Sequence, residues 1–234
     1  MKNASIRRAR SRKLSMALIA LALAVVSWIG LETARTADAA TAPAAASGGV
    51  TSGGGLNLTE TVSTPKLAPR FGTRVLRQGM SGPDVRVLKG IVRAQSLLRG
   101  TGVNPQFDAP TTSAVRRFQK RTKIAANGVV NRHTARKLVG SMGSSGASWY
   151  GPGFYGNQTA CGQTLRKRTQ GVAHKTLPCG TKVLIGNRGR FVITRVIDRG
   201  PFVGGRSWDL TNATRKALKF SGVGDVRHAV IKRG

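Results

Sequence analysis

RFVITRVIDRGPFVGGRSWDLTNATRKALKF, residues 190–220, decides how the C-terminal half of the chain is read. RFVITRVID is a β-branched run of the kind that forms a strand, and DRGPFVGG interrupts it with Gly and Pro. TNATRKALKF then has the pattern of a short helix behind a Thr/Asn cap. Upstream, KVLIGN (182–187) is a second β-branched run bounded by Gly and Asn, and VRHAVIKR (226–233) predicts a last strand. Short strands, many glycines and one helix predict a compact barrel. The same stretch holds Asp198 and Asp209, eleven positions apart. From Ala147 to the C-terminus there are sixteen Lys/Arg and only three acids, the third being Asp225. Any carboxylate chemistry in this half must draw on those three.

The chain has 234 residues, enough for one or two small domains plus tails, and a formal net charge of +31. Such a charge bears on partners rather than on fold. Nucleic acid is the first partner it brings to mind, and the N-terminus argues against that. MKNASIRRARSRK (1–13) is basic, Leu14–Leu31 is apolar apart from Ser and Gly, and Ala37 and Ala39 stand in the −3/−1 arrangement that a signal peptidase accepts. Residues 1–39 therefore read as a signal peptide, with an uncleaved membrane anchor as the alternative. No Cys follows the apolar run, so lipid attachment is not expected. Without residues 1–39 the chain keeps thirty-two Lys/Arg against six acids. The expectation is a secreted, monomeric protein that meets anionic surfaces outside the cell (wall phosphates, acidic polymers or lipid headgroups) and no nucleic acid. Plain solvated surface is the alternative use of the charge.

Residues 40–65 are rich in Ala, Thr, Ser and Gly and read as a flexible linker. Residues 66–140 read as a small helical domain. Pro83 suits a first helical turn behind Ser81 or Gly82, and Val85, Leu88, Val92 and Leu97 recur at roughly helical spacing. TTSAVRRFQKR (111–121) predicts a second helix with Ala114, Val115 and Phe118 on one face. Gly128 breaks the chain before a third, through His133–Val139. SMGSSGAS reads as another flexible joint, so 141–146 is taken as a hinge ahead of a barrel over 147–234. The only cysteines, Cys161 and Cys179, form an even count in an exported chain, which favours a disulfide over free thiols. In the chain-entropy account such a bridge stabilises by about 3 kcal/mol. Their spacing fits no common zinc pattern and no His cluster completes one, so neither metal nor cofactor is expected.

ASWYGPGFYG (147–156), GVAHKTLPCGTKV (171–183), VIDRGPFVGG (196–205) and WDLTNATRKAL (208–218) together resemble the rare lipoprotein A (RlpA) family. VLRQGMSGPDVRVLK, FDAPTTSAVRRFQK and NGVVNRHTARKL are similar to the peptidoglycan-binding domain 1 family, a three-helix module. The first resemblance implies a six-stranded double-psi β-barrel, as in expansins, and a lytic transglycosylase. Such an enzyme cleaves the β-1,4 bond between N-acetylmuramic acid and N-acetylglucosamine and closes a 1,6-anhydro ring. The second departs from its family at VNPQFDAP, which supplies Pro105 and Asp108 where the family usually has Asp-Gly and a Gly after the aromatic, so the turn is expected to be remodelled and glycan affinity altered.

On this reading Asp209, Asp198 and His174 are the catalytic candidates. Asp209 stands at the aspartate of the expansin-type aromatic-Asp-Leu-Ser/Thr signature. Trp208 and Leu210 would raise its pKa by desolvation, and the surrounding cations would lower it. Its alternative role is to cap the following helix. Asp198 has the alternative of tying down its own turn, His174 that of a structural histidine, and Asp225 reads as a turn residue. Gln163 stands where many family members have Glu, and an amide cannot transfer a proton. That departure keeps open a non-catalytic, expansin-like wall binder. Gln163, Trp149, Tyr150 and Tyr155 are the substrate-binding candidates, together with Phe154. Barrel core is the alternative for the aromatic ones.

Overall fold

The structure, a computed structural model, describes residues 66–232. The expected signal peptide and the 40–65 linker lie outside the described residues. Three helices come first: α1 (Pro83–Ala94), α2 (Ala109–Arg121) and α3 (Arg132–Gly140). Each start is marked in the sequence. Pro83 opens α1 behind Gly82, while the side chains of Asp108 and Asn131 accept the Thr111 and Thr134 backbone N–H groups at the heads of α2 and α3. Val85, Leu88, Val92, Ala114, Val115 and Phe118 are all fully buried. The VNPQFDAP turn has a use for its departure from the family pattern. The fully buried Lys89 of α1 donates to Asn104 Oδ1 (2.6 Å) and Asp108 Oδ2 (2.8 Å), so the turn supplies both partners of a buried cation. Removing Asp108 would leave the Lys89 charge uncompensated in the interior, and removing Asn104 would cost it a hydrogen bond.

The second half is a closed six-stranded barrel with one helix, as the strand patterns predict. Its elements are β1 (Gly143–Tyr150), β2 (Val172–Ala173), β3 (Lys182–Asn187), β4 (Arg190–Asp198), β5 (Arg206–Thr211), α4 (Asn212–Leu218) and β6 (Gly224–Val230). Around the barrel the strands run β1-β5-β2-β4-β3-β6. β1 is parallel to β5 and β2 to β4; the other pairings are antiparallel. Ala147, Val172, Val183, Ile185, Val192, Val196, Trp208 and Leu210 fill the interior.

The expected hinge at 141–146 is not one. From Gly143 the chain is already strand, paired with β6 through Gly143–His228 to Ala147–Gly224. Its small residues serve close packing rather than freedom. A Cβ at Gly143 would lie 2.5 Å from the His228 ring, and one at Gly146 would lie 2.5 Å from the Gly205 carbonyl oxygen. A glycine-rich strand and a linker share a composition, and only the pairing tells them apart.

Without a hinge, the helices and the barrel share one core. Leu184, Phe191 and Ile231 belong to the same buried cluster as Leu88, Ile91 and Leu138. Gly90 brings α1 down onto Leu184, Ile193 and Ile231. Phe71 meets Phe191 edge-to-face at 6.2 Å, and the chain from Ala68 to Phe71 is hydrogen-bonded to Phe191, Gly189 and Ala217. Strands β3 and β4 read as continuous apolar runs because both of their faces are covered. Helical module and barrel should accordingly melt as one unit. Leu184→Ala is expected to cost about 2–5 kcal/mol and to lower the unfolding midpoint equally for a helix probe and a barrel probe. Two separate transitions in a denaturant titration would contradict the shared core.

Candidate active site

The barrel order brings the two distant carboxylates to neighbouring strands. β2 is two residues long and lies between β4 and β5. Its Ala173 is the register partner of Asp198 on one side and of Asp209 on the other. Ser148 of β1 faces Asp209 across the next pairing. The sequence Ser148–Asp209–Ala173–Asp198 thus runs straight across four strands, with the aspartate Cα atoms two strand spacings apart, about 10 Å. Strand alternation sends Trp208 and Leu210 into the core and Asp209 away from it, onto a wall shared with Ser148 and Tyr150.

Of the two opposing influences on Asp209, desolvation prevails. Burial pushes its pKa above the ordinary carboxylate value and the nearby Asp198 charge adds to the rise, while Ser148 and Arg206 act against it. Its Oδ1 is buried without a hydrogen-bond partner. The helix-cap role falls to another residue: Thr211 is the N-cap of α4, its hydroxyl accepting from the Thr214 N–H.

Asp198 does tie down its own turn. Its Oδ1 accepts the Arg199 N–H (2.8 Å) and also the Ala160 N–H (2.9 Å), which anchors the 156–165 loop beside it. Cys161 and Cys179 are joined in a disulfide that fastens the same loop to the turn after His174. The Tyr150 hydroxyl is buried close to both aspartates, short of a well-formed hydrogen bond, and burial together with the Asp198 charge drives its pKa strongly upward. Tyr150 therefore stays a neutral phenol.

His174 is tied to this wall by its backbone, and its ring packs on the Trp208 side. Its backbone N–H bonds the Asp198 carbonyl (3.2 Å), and its ring lies 4.6 Å from that of Trp208. Nδ1 accepts from the Thr176 (3.2 Å) and Leu177 (3.1 Å) N–H groups, which leaves the proton of the neutral ring on Nε2. Burial, and secondarily the neighbouring His228, Arg199 and Lys175, lower its pKa. At neutral pH it is a hydrogen-bond donor without charge.

The remaining candidates are dispersed. Gln163 is exposed and lines a cavity outside β4 with Arg195 and Ile197. Trp149 packs against the barrel core and carries the Arg215 guanidinium 4.1 Å over its ring. Tyr155 accepts from Asn212 Nδ2 (2.9 Å), which holds its loop on α4. Phe154, 56% exposed, stacks edge-on with Tyr150 at 6.3 Å. Phe202 was not among the sequence candidates. At 83% exposure it stands out from the loop that leaves Asp198. The signal was present in DRGPFVGG, since an aromatic between Pro and Gly turn residues has no strand face to fill.

Residues 143–230 match the family described as "Lytic transglycolase", and residues 81–138 match the family described as "Putative peptidoglycan binding domain". A Synechocystis sp. protein named "Probable endolytic peptidoglycan transglycosylase RlpA" is 40% identical over 107 residues, covering 44% of this chain and 33% of its own. The Campylobacter jejuni protein named "Endolytic peptidoglycan transglycosylase RlpA" is 44% identical over 100 residues, 41% of this chain and 36% of its own. The chain spans about a third of the length of these relatives.

The raised pKa of Asp209 has a consequence for stability. Ionising the buried carboxyl costs more in the folded chain than in the unfolded one. The protein should therefore lose stability as pH climbs from the ordinary aspartate range through the raised value. Asp209→Asn removes that cost. Thermal melts should find the variant more stable than the parent at pH 7, with the gap closing by about pH 4. An equal gap at both pH values would contradict the assignment.

Proposed function

We propose, taking as premise that this chain joins an RlpA-like double-psi β-barrel to a peptidoglycan-binding helical module, that it is a secreted lytic transglycosylase cutting MurNAc–GlcNAc β-1,4 bonds. The observation that carries the proposal is the carboxyl group of Asp209, buried with its Oδ1 unpartnered and its pKa raised by that burial, one strand removed from a second aspartate.

The chemistry needs one carboxyl to act twice. Protonated Asp209 donates to the glycosidic oxygen as the bond from C1 of N-acetylmuramic acid breaks, and N-acetylglucosamine leaves with the proton on its O4. The Asp209 carboxylate then takes the proton of the C6 hydroxyl as O6 bonds to C1. This closes the 1,6-anhydro ring and restores the acid. No water enters, so the paired carboxyls of ordinary glycoside hydrolysis are not required. Asp198 contributes negative charge that supports both the raised pKa and the positive charge developing at C1. His174 Nε2–H and the Tyr150 hydroxyl are donors for sugar oxygens, and Phe154 and Phe202 offer rings to sugar faces. Gln163 is exposed on the outer side of β4, so an amide there leaves proton transfer with Asp209.

Purified protein incubated with peptide-free glycan strands is expected to release fragments ending in 1,6-anhydro-muramic acid, detected by mass spectrometry. Asp209→Asn should lower kcat by about 10²–10⁴-fold while strand binding in a pull-down persists. Strand binding without anhydro products from the parent protein would make it a non-catalytic wall binder. Undiminished turnover in the variant would remove Asp209 from the role of acid.

A further inference from the structure

A sizeable cavity lies away from these carboxylates. About 520 Å³ in volume, it opens on the seam between α1 and the barrel, and its cations are Arg93, Lys182, Arg195 and Lys232. A second cavity of about 450 Å³ shares Val103, Lys182, Arg195 and Ile231 with it and continues along the outer side of β4, past Ile193 and Ile197, adding Arg86. The two make one groove that stops a residue short of Asp198. No carboxylate lines either part, and the two ion pairs among the described residues, Arg74–Asp84 and Lys89–Asp108, lie elsewhere.

Several of these cations are held in place. Arg93 donates through Nε to the Lys232 carbonyl (2.8 Å) and through Nη1 to the Thr101 carbonyl. Arg195 Nη1 donates to the Gly180 carbonyl (3.0 Å). Each guanidinium keeps further N–H donors beyond these bonds, already oriented by backbone, which is a favourable setting for phosphate oxygens. Between the cations the lining combines the aliphatic Val103, Val230, Ile193, Ile197 and Ile231 with uncharged polar side chains. These are Gln163, Gln170, Thr181 and Thr194, which can hydrogen-bond sugar or polyol hydroxyls. Alternating cations and aliphatic surface match a chain that alternates phosphate with carbon units. Single-stranded nucleic acid is matched less well, because it seeks aromatic stacking faces and neither cavity has an aromatic residue in its lining. The combined volume exceeds many times the roughly 30 Å³ share of one water, so it suits a multi-unit stretch rather than a lone ion.

We propose that this seam groove binds a phosphodiester-linked polyol or sugar chain, at a site separate from the glycan-cleaving wall. The groove is formed by both modules together, so it exists only because their cores are fused. An anionic chain seated there runs alongside β4 toward the Asp198 end of the barrel.

The test uses the full chain and a synthetic glycerol phosphate oligomer, with binding followed by calorimetry over a salt series. K182Q/R195Q is expected to weaken binding at least tenfold and to flatten the slope of log K against log salt by about two. R136Q/K137Q, which removes the same charge from exposed α3, should leave both nearly unchanged, and a thermal melt checks that each variant is folded. Equal losses in the two double variants, or no loss in the first, would overturn the site and reduce the attraction to net charge. Tighter, groove-dependent binding of single-stranded DNA with equal charge would overturn the ligand class. Anhydro-product release from phosphate-free glycan strands by K182Q/R195Q is expected to match the parent, so failure of the groove and failure of the enzymatic reading are told apart. A parallel loss of that turnover would contradict the separateness of the two sites.

Discussion

The site depends on strand β2, two residues long and wedged between a parallel and an antiparallel neighbour. Its Ala173 is the register partner of Asp198 and of Asp209 at once. A one-residue slip would turn Asp209 into the core and Trp208 out of it. The register is pinned from several directions. The Thr211 N–H bonds the Gly171 carbonyl, and the Gly171 N–H bonds the Thr211 and Thr214 hydroxyls. Gly171 itself has no room for a side chain, since a Cβ there would lie 2.3 Å from Ile197. Backbone geometry that secures α4 therefore also sets where the carboxylates stand.

A second constraint is the shared core of helices and barrel. Leu184, Phe191 and Ile231 cannot be covered by the barrel alone, and α1 covers them. The three-helix module is in this respect part of the barrel's own packing. Its orientation to the wall that carries Asp198 and Asp209 is set by side chains rather than by a tether. The same junction creates the cationic groove, so fold stability and the binding surface rest on one set of contacts.

Much of the fold was legible because its signals are local. Pro83 in α1, the Thr/Asn pair ahead of α4, and the β-branched runs of β3 and β4 each announce an element without help from elsewhere, whereas the caps Asp108 and Asn131 emerge only from the structure. The hinge at 141–146 was misread because Gly143 and Gly146 are needed for approach to His228 and Gly205, contacts that composition does not express. The joined core was present only as an excess of apolar residues in KVLIGN and RFVIT, where alternation would have left one face polar. Within the site, the candidacy of Asp209, Asp198 and His174 came from motif resemblance. The winner between desolvation and positive charge at Asp209 needed the burial of its neighbours. The cap of α4 is Thr211, the first residue of the Thr/Asn pair read ahead of that helix, and Asp209 is left without that role. Phe202 was missed because exposure is a tertiary property, although its place between turn residues hinted at it.

All of the proposed chemistry requires that Asp209 hold its proton when an ordinary aspartate has lost it. The direct measurement is a ¹³C NMR titration of the Asp209 carboxyl carbon in the intact folded protein, assigned by its disappearance in Asp209→Asn. The account predicts a midpoint clearly above the usual value of about 3.9. A midpoint at or below that value would mean that the surrounding cations outweigh burial, and Asp209 would not be the proton donor.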